Sequence, residues 1–327
     1  MPSPMAGRPL QSAQAKIAIM NKPAPEKSNW FSVQHKIAPY LFIAPFLFIF
    51  LVFGCYPIVQ SLRLSLYATN GPKSHVFVGL SNYRFLIGDS DFRTAVWNTL
   101  VYTFWSVFLQ LPLALGLAML LSQKWIKARG LLRMAFFSPN LMGQAFVAVL
   151  FGILYVPQYG LVNRALHPLL PKLVPLDTKW LQDANLVMPA IVLASLWMYV
   201  GFNMIYFLAA LQAVDQELYE AARVDGANAW HQFLAVTVPG IKPVAVFVLV
   251  TATIGSFQLY ELPYLMLNNT AGPKNAGLTI VMYLYQNGFV TGDLGLASAI
   301  GWSLALGVLV ISLFQLRVTG AYKGEAA

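Results

Sequence analysis

The sequence predicts an all-α integral membrane protein with six transmembrane helices, and three observations carry that prediction. Only 10% of the 327 residues are charged and 58% are hydrophobic, whereas an average soluble domain is roughly a quarter charged. The mean hydropathy is +0.62, and several runs reach the ~20 apolar residues that a helix needs to cross ~30 Å of hydrocarbon. None of these runs shows the alternating pattern of a membrane barrel.

Six spans are placed at about 37–62, 95–122, 134–155, 185–211, 244–267 and 292–316. Residues 1–36, rich in Ala, Pro, Ser and Lys, read as a disordered tail. The run that follows is too long for a signal-peptide core and has no small-residue cleavage site behind it, so it reads as a retained span. Pro39, Pro45 and Pro57 in or beside span one and Pro112 in span two remove backbone donors, so those helices are expected to bend and neighbours to repair the gaps. In span six Ala297, Gly301 and Ala305 stand four apart, a small-residue face that lets another helix approach closely. The chain shows neither tandem repeats nor the inverted repeats of secondary transporters.

An even number of spans puts both termini on one side. That side collects Arg8, Lys16, Lys22, Lys27 and Lys36, then Lys124, Lys127, Arg129 and Arg133, then Arg223, Lys242, Arg317 and Lys323. The other side holds Arg63, Lys73, Arg84, Arg93, Arg164, Lys172, Lys179 and Lys274. Thirteen cations against eight place both tails in the cytoplasm, and the net charge of +9 is chiefly this topology signal rather than a mark of nucleic-acid binding. Cys55 is the one cysteine, which excludes disulfides within the chain and cysteine-based metal sites.

Between spans four and five lies a polar island, YEAARVDGANAWHQFLAVTVPGIKP, residues 219–243. A short helix rich in small residues carries Glu217, Glu220 and Asp225, and Gly226 then permits a sharp change of direction. A second short helix, about Ala229 to Val236, can form an apolar stripe from Trp230, Phe233 and Leu234, and Pro239 and Pro243 close it. An amphipathic helix lying on lipid is the bland alternative. Four acids against two bases in this loop would face an anionic leaflet, which favours a protein partner.

Glu220-Ala221-Ala222, Gly226 and the ending Val236-x-Val238-Pro239 resemble the EAA loop of permease subunits in binding-protein-dependent ABC importers, the valines departing from that family's usual I-x-L-P ending. The stretches FVGLSNYRFLIGDSDFRTAVWNTLVYT, RGLLRMAFFSPN and ELPYLMLNNTAGPKNAGLTIVMYLYQNGF are similar to the six-span carbohydrate-uptake branch, which includes the maltose and glycerol phosphate systems. The resemblance implies a type I permease bundle, a domain of residues 37–317 whose coupling loop, 212–243, seats in a cytoplasmic ATPase, followed by a short cytoplasmic tail from 318. By position Glu220, Ala221, Ala222, Asp225, Gly226 and Pro239 carry that contact. It further implies a second permease as heterodimer partner, two ATPase copies that use ATP and Mg, an extracytoplasmic substrate-binding protein, and the cytoplasmic membrane of a bacterium or archaeon. This chain itself has no G-x-x-x-x-G-K-[ST] phosphate loop and is expected to bind no cofactor.

Ionisable residues are almost absent from the span cores, which disfavours a proton relay or ion pump. Glu261, about seventeen residues into span five and ahead of Pro263, reads either as a carboxylate lining a polar path or as a boundary residue reaching water. Gln258 and Tyr260 flank it, while Asn203 lies in span four with Trp197 and Tyr199 before it. Aromatic faces and amides suit sugars, although aromatic residues in spans commonly serve packing. His35, His75, His167 and His231 show no ligand spacing, so no metal site is expected. No catalytic constellation appears, and Asp89 and Asp91 read as solvated outer-loop acids. A secondary active transporter of a small polar solute is the alternative, and it lacks coupling charges in the spans.

Overall fold

The computed structural model describes residues 29–320 apart from 70, 72–74, 124 and 173, with side chains from residue 37 onward. The readings of residues 1–28 and 321–327 lie outside the described residues. The chain divides into two compact units, Met1–Gln60 and Ser61–Ala327. The first carries the helix Asn29–Ile49 with Pro39 and Pro45 inside it, then a π-helical stretch, Phe50–Cys55, that leads into Tyr56–Leu64. Pro57 has no N–H to give the carbonyl of Phe53, and the wider turn lies where that bond is missing. From Ile37 to Leu64 this helix, α1, is long and apolar enough to cross a membrane.

The second unit opens with an antiparallel hairpin of β1, Tyr67–Thr69, and β2, His75–Phe77, with Ala68 opposite Val76. After it come α2, Ser81–Gly88, and α3, Ser90–Ser122, the latter with Pro112 inside an unbroken helix. The central helix is α7, Ala184–Ala213, which has 67% of its apolar window buried, against 28% or less for the other three continuous spans of this unit. It runs parallel to α3: the Tyr102 hydroxyl donates to Ser195 Oγ at 2.8 Å, and Ala114, Ala118 and Leu121 cluster with Met204, Phe207 and Ala210 further along. Buried alanines bring the two backbones together so that dispersion contacts accumulate without a large side chain between them. The bundle thus has a hairpin end, where α3 and α7 begin, and a knob end, where they finish.

Span three departs from the sequence reading. It consists of α4, Arg129–Leu141, and α5, Gln144–Leu154, bent by 101° across Met142 and Gly143, and is followed by the short α6, Leu161–Leu166. Its contacts nevertheless run from the knob end, where α3 and α7 finish, toward the start of α7. Arg133 donates to the carbonyl of Leu121 at the knob end, the Phe136 backbone lies against Gly201, Phe137 stacks on Phe202, Gln144 reaches Tyr199, Phe151 packs on Trp197, and the Tyr155 hydroxyl donates to the Ala190 carbonyl. This progression from the knob end toward the hairpin end makes the bent pair one crossing, and the sixfold count stands.

Span five also differs. The second island helix does not stop at Pro239: it continues as α9, Ala229–Phe257, through a π-helical stretch at Phe233–Thr237. That wider turn accommodates Pro239, which stands in the first turn of Val238–Phe257 and has no N–H to give. The helix then ends at Phe257 rather than near 267, and a separate short helix, α10, covers Glu261–Met266. After α11, Ile280–Tyr285, the last span is α12, Leu294–Val318. On α12 Ala297 is buried beside Gly288, and Gly301 lies against Leu284, so two of the three small residues do face a close neighbour. Ala305 is exposed.

A Cβ added at Gly201 would sit 1.7 Å from the Phe136 carbonyl oxygen, a clash with backbone that no rotamer relieves. Gly201→Ala is therefore expected to lower the thermal midpoint of the detergent-purified protein, at a cost of at least ~1–3 kcal/mol. Gly152→Ala, where an added Cβ meets nothing within 4 Å, should leave it unchanged or raised.

Candidate functional site

A cavity of about 340 Å³ opens where the two breaks meet α3 and α7. From α3 come Tyr102, Ser106 and Gln110, and from α7 Tyr199, Phe202 and Asn203. Gln144, at the first residue of α5, and residues from Thr251 near the end of α9 to Leu259 just beyond it complete the wall. Hydroxyls and amides line it, and no residue of the lining is ionisable as an acid or a base near neutral pH. Gln110 and Asn203 are 4% and 5% exposed, yet neither amide has a hydrogen-bond partner among the described residues. Burying amides without partners is costly, so these groups are open to water or solute inside the cavity.

The breaks are repaired by side chains. Pro263 cannot donate to the Leu259 carbonyl, and Thr279 Oγ1 donates to it instead at 2.7 Å. Pro139 cannot donate to Ala135, and Ser138 Oγ does so at 3.1 Å. Gln144 works in both directions: its Nε2 donates to the Tyr199 hydroxyl at 3.0 Å, and its Oε1 accepts the backbone N–H of Leu262 at 3.3 Å. Nothing in the sequence reading singled out Gln144, because it lies at the edge of an apolar run with no partner nearby in the chain.

Of the six residues placed on a polar path, Tyr199, Asn203 and Gln258 line this cavity. Trp197 does not; it packs edge-on against Phe151 with ring centroids 5.7 Å apart. Tyr260 lies in an aromatic cluster with Tyr264 and Tyr285, at 5.2 and 5.1 Å. Glu261 opens α10, outside the continuous part of span five, and its exposed side chain lies outside the lining.

The island folds as the sequence predicts at its turn. The first helix, α8, spans Gln216–Val224 and is capped by Asp215, whose carboxylate accepts the N–H of Glu217 at 3.0 Å. It ends in a left-handed glycine, Gly226, with φ +78°: the N–H of Gly226 bonds the carbonyl of Arg223 and that of Ala227 bonds Ala222. Asn228 then caps α9 by accepting the N–H of His231 at 2.9 Å. The Tyr219 hydroxyl meets Thr237 Oγ1 at 2.9 Å, fastening α8 to the base of span five. Glu220, Ala221, Asp225 and Gly226 are exposed and Ala222 half-buried, with Leu218, Val224 and Trp230 presented as apolar surface beside them. Pro239 is exposed in the first turn above the π-helical stretch.

At the hairpin end Asp89 is not simply solvated: it caps α3 through the N–H of Phe92 at 2.6 Å and accepts from the Tyr283 hydroxyl at 3.0 Å. Burial, and then that bond to a carboxylate, push the Tyr283 phenol up. Asp91 is exposed and accepts from the Asn275 amide at 3.2 Å. Asp293 caps α12 and bonds Thr69, joining the hairpin to the start of the last span. Among the described residues no group of three potential metal ligands occurs.

An uncharged polar cavity lined by the second to fifth crossings, with a structured knob between the fourth and fifth, is the arrangement of a membrane-embedded transport subunit. Residues 31–322 match the family described as binding-protein-dependent transport system inner membrane component, and the chain belongs to that family. It is 40% identical to the arabinooligosaccharides transport system permease protein AraP of Bacillus subtilis, over 92% of this chain and 95% of that protein. It is 34% identical to the lactose transport system permease protein LacF of Rhizobium radiobacter, over 84% and 92%. A solved bacterial alginate ABC transporter, in complex with its alginate-bound periplasmic protein, has the same fold, with a TM-score of 0.76 at 24% identity over 90% of this chain and 98% of its own. The chain is a permease subunit of an ABC importer and not an enzyme; in such importers the ATPase is a separate subunit. The secondary-transporter alternative falls with that assignment.

A Cβ at Gly226 has open space around it but a left-handed backbone, so the cost of replacement there is conformational. Gly226→Val is expected to strain the turn by ~1–2 kcal/mol. The readout is the rate of tryptic cleavage after the exposed Arg223, which should rise several-fold while the span helices stay protected.

Proposed function

We propose that this subunit forms half of a translocation path for a neutral oligosaccharide, delivered by an extracytoplasmic binding protein. The observation that carries the proposal is the cavity lining: hydroxyls and amides among a few apolar residues, with two buried, unpartnered amides and no cation or carboxylate. Sugar hydroxyls need donors and acceptors together, which amides supply, while an anionic cargo buried there would lack a countercharge. Relatives named for arabinooligosaccharides, lactose and trehalose/maltose support this class. Tyr199, Asn203 and Gln258, with Gln110 and Ser106, make the contacts.

The knob seats in a cytoplasmic ATPase. Glu220 meets a cationic partner, Ala221 and Ala222 let the helix sink into a groove, and Asp225, Gly226 and Pro239 shape its exit. Arg129, Arg133, Arg223, Lys242 and Arg317 lie at the knob end, which supports a cytoplasmic placement of that end and of both termini. The complete importer has a second, different permease and two ATPase copies, which use ATP and Mg while this chain binds no cofactor.

In proteoliposomes holding the complete importer, uptake of arabinotriose, lactose or maltotriose is expected and uptake of an alginate trisaccharide is not. Asn203→Ala and Gln258→Ala should each reduce sugar uptake about tenfold, the effect of losing one well-placed polar partner. Equal uptake of the acidic sugar would overturn the reading. A photocrosslinker at Ala222 should capture the ATPase subunit, and its failure would remove the proposed coupling role.

A further inference from the structure

We propose that Gln144 is a latch that holds the ligand-free importer at rest and reports sugar in the cavity. The inference rests on the cavity reading above and adds a positioning residue to it. One side chain joins three elements here. Gln144 begins α5 directly after the 101° bend of span three, its Nε2 binds the Tyr199 hydroxyl of span four, and its Oε1 holds the Leu262 N–H just beyond the break of span five. The orientation of the amide is set by the backbone, because the N–H of Leu262 requires an oxygen opposite it. Gln144 also lines the cavity. An amide has two donors and an oxygen with two lone pairs, so one donor and one lone pair are uncommitted once these two bonds are made.

A sugar hydroxyl arriving in the cavity meets that remaining capacity on the same group that ties the bends. A hydroxyl that replaces Tyr199 as partner of Gln144 leaves no buried group unmet, since Tyr199 lines the cavity and its hydroxyl gains the incoming group or water, while the fully buried Leu262 N–H keeps Gln144. The exchange is thus close to balanced, which is what a switch between two states of similar free energy requires. Without sugar, the Gln144–Tyr199 bond stays made, and the resting state is favoured.

The test uses the importer assembled with its second permease and ATPase, in nanodiscs. Gln144→Met keeps length and removes both bonds; Tyr199→Phe removes one bond and leaves the Leu262 contact in place. ATPase activity without any sugar is expected to rise about fivefold in Tyr199→Phe, the population shift of one ordinary hydrogen bond, and further in Gln144→Met, which loses two. Sugar-loaded binding protein should then raise the rate by a smaller factor than in the unmodified importer, because the basal rate is already higher. A mere packing defect would lower both rates. Basal activity unchanged in both variants, or both rates falling together in Tyr199→Phe, overturns the latch. The sugar-free measurement is independent of cargo identity, so a wrong sugar assignment and a wrong latch give different results.

Discussion

A polypeptide inside hydrocarbon must satisfy every backbone N–H and carbonyl from within the protein, because no water is present to do it. Most of this bundle meets that constraint with unbroken helices. The two interrupted spans meet it with side chains: Ser138 serves the carbonyl that Pro139 leaves open, Thr279 the one left by Pro263, and Gln144 the amide of Leu262. Each repair demands a polar side chain at membrane depth. Wherever the spans break, polarity concentrates, and the cavity lies beside the breaks for that reason. Of the three repairing side chains, Gln144 also lines the cavity, so one group serves both the bent helices and the cavity wall.

The same constraint explains what could be read from the chain. Span number and approximate limits follow from apolar length, which composition reports directly. Bends do not, since hydropathy averages over direction. Proline alone does not mark them either: Pro112 and Pro189 lie inside continuous helices, whereas Pro139 and Pro263 accompany breaks. The difference is made by distant partners such as Thr279, twenty residues from the carbonyl it serves. The hairpin was equally hidden, because three-residue strands are too short to show alternation.

For the site, polar residues inside an apolar run were the legible part. Tyr199, Asn203 and Gln258 stood out on that ground and do reach the cavity. Trp197 precedes Tyr199 by two residues, about 200° around a helix of 3.6 residues per turn, and that rotation turns it onto Phe151 instead. Glu261 and Tyr260 were placed by counting along a helix that in fact ends at Phe257. Helical phase and helix ends decide which polar residues converge, and both are set by tertiary contacts.

The continuity of α9 connects the knob to the cavity. The helix begins at Ala229, directly after the Gly226 turn, and runs to Phe257, so its cavity-facing Thr251 is ~33 Å up the same rod at 1.5 Å per residue. The Tyr219–Thr237 bond fixes α8 to this rod beside its π-helical stretch, and a Cβ on Gly240 would meet Val214 at 2.8 Å, which keeps the base of the rod close against the end of α7. A partner that bound the knob equally in every state of the bundle would shift nothing. One that prefers a single tilt of α8 acts on α9 through these two contacts and, through α9, on the wall that holds Thr251 and Gln258. Under the proposed coupling, work done at the knob would reach the cavity as movement of one helix, with no chain of intermediate side chains needed to carry it.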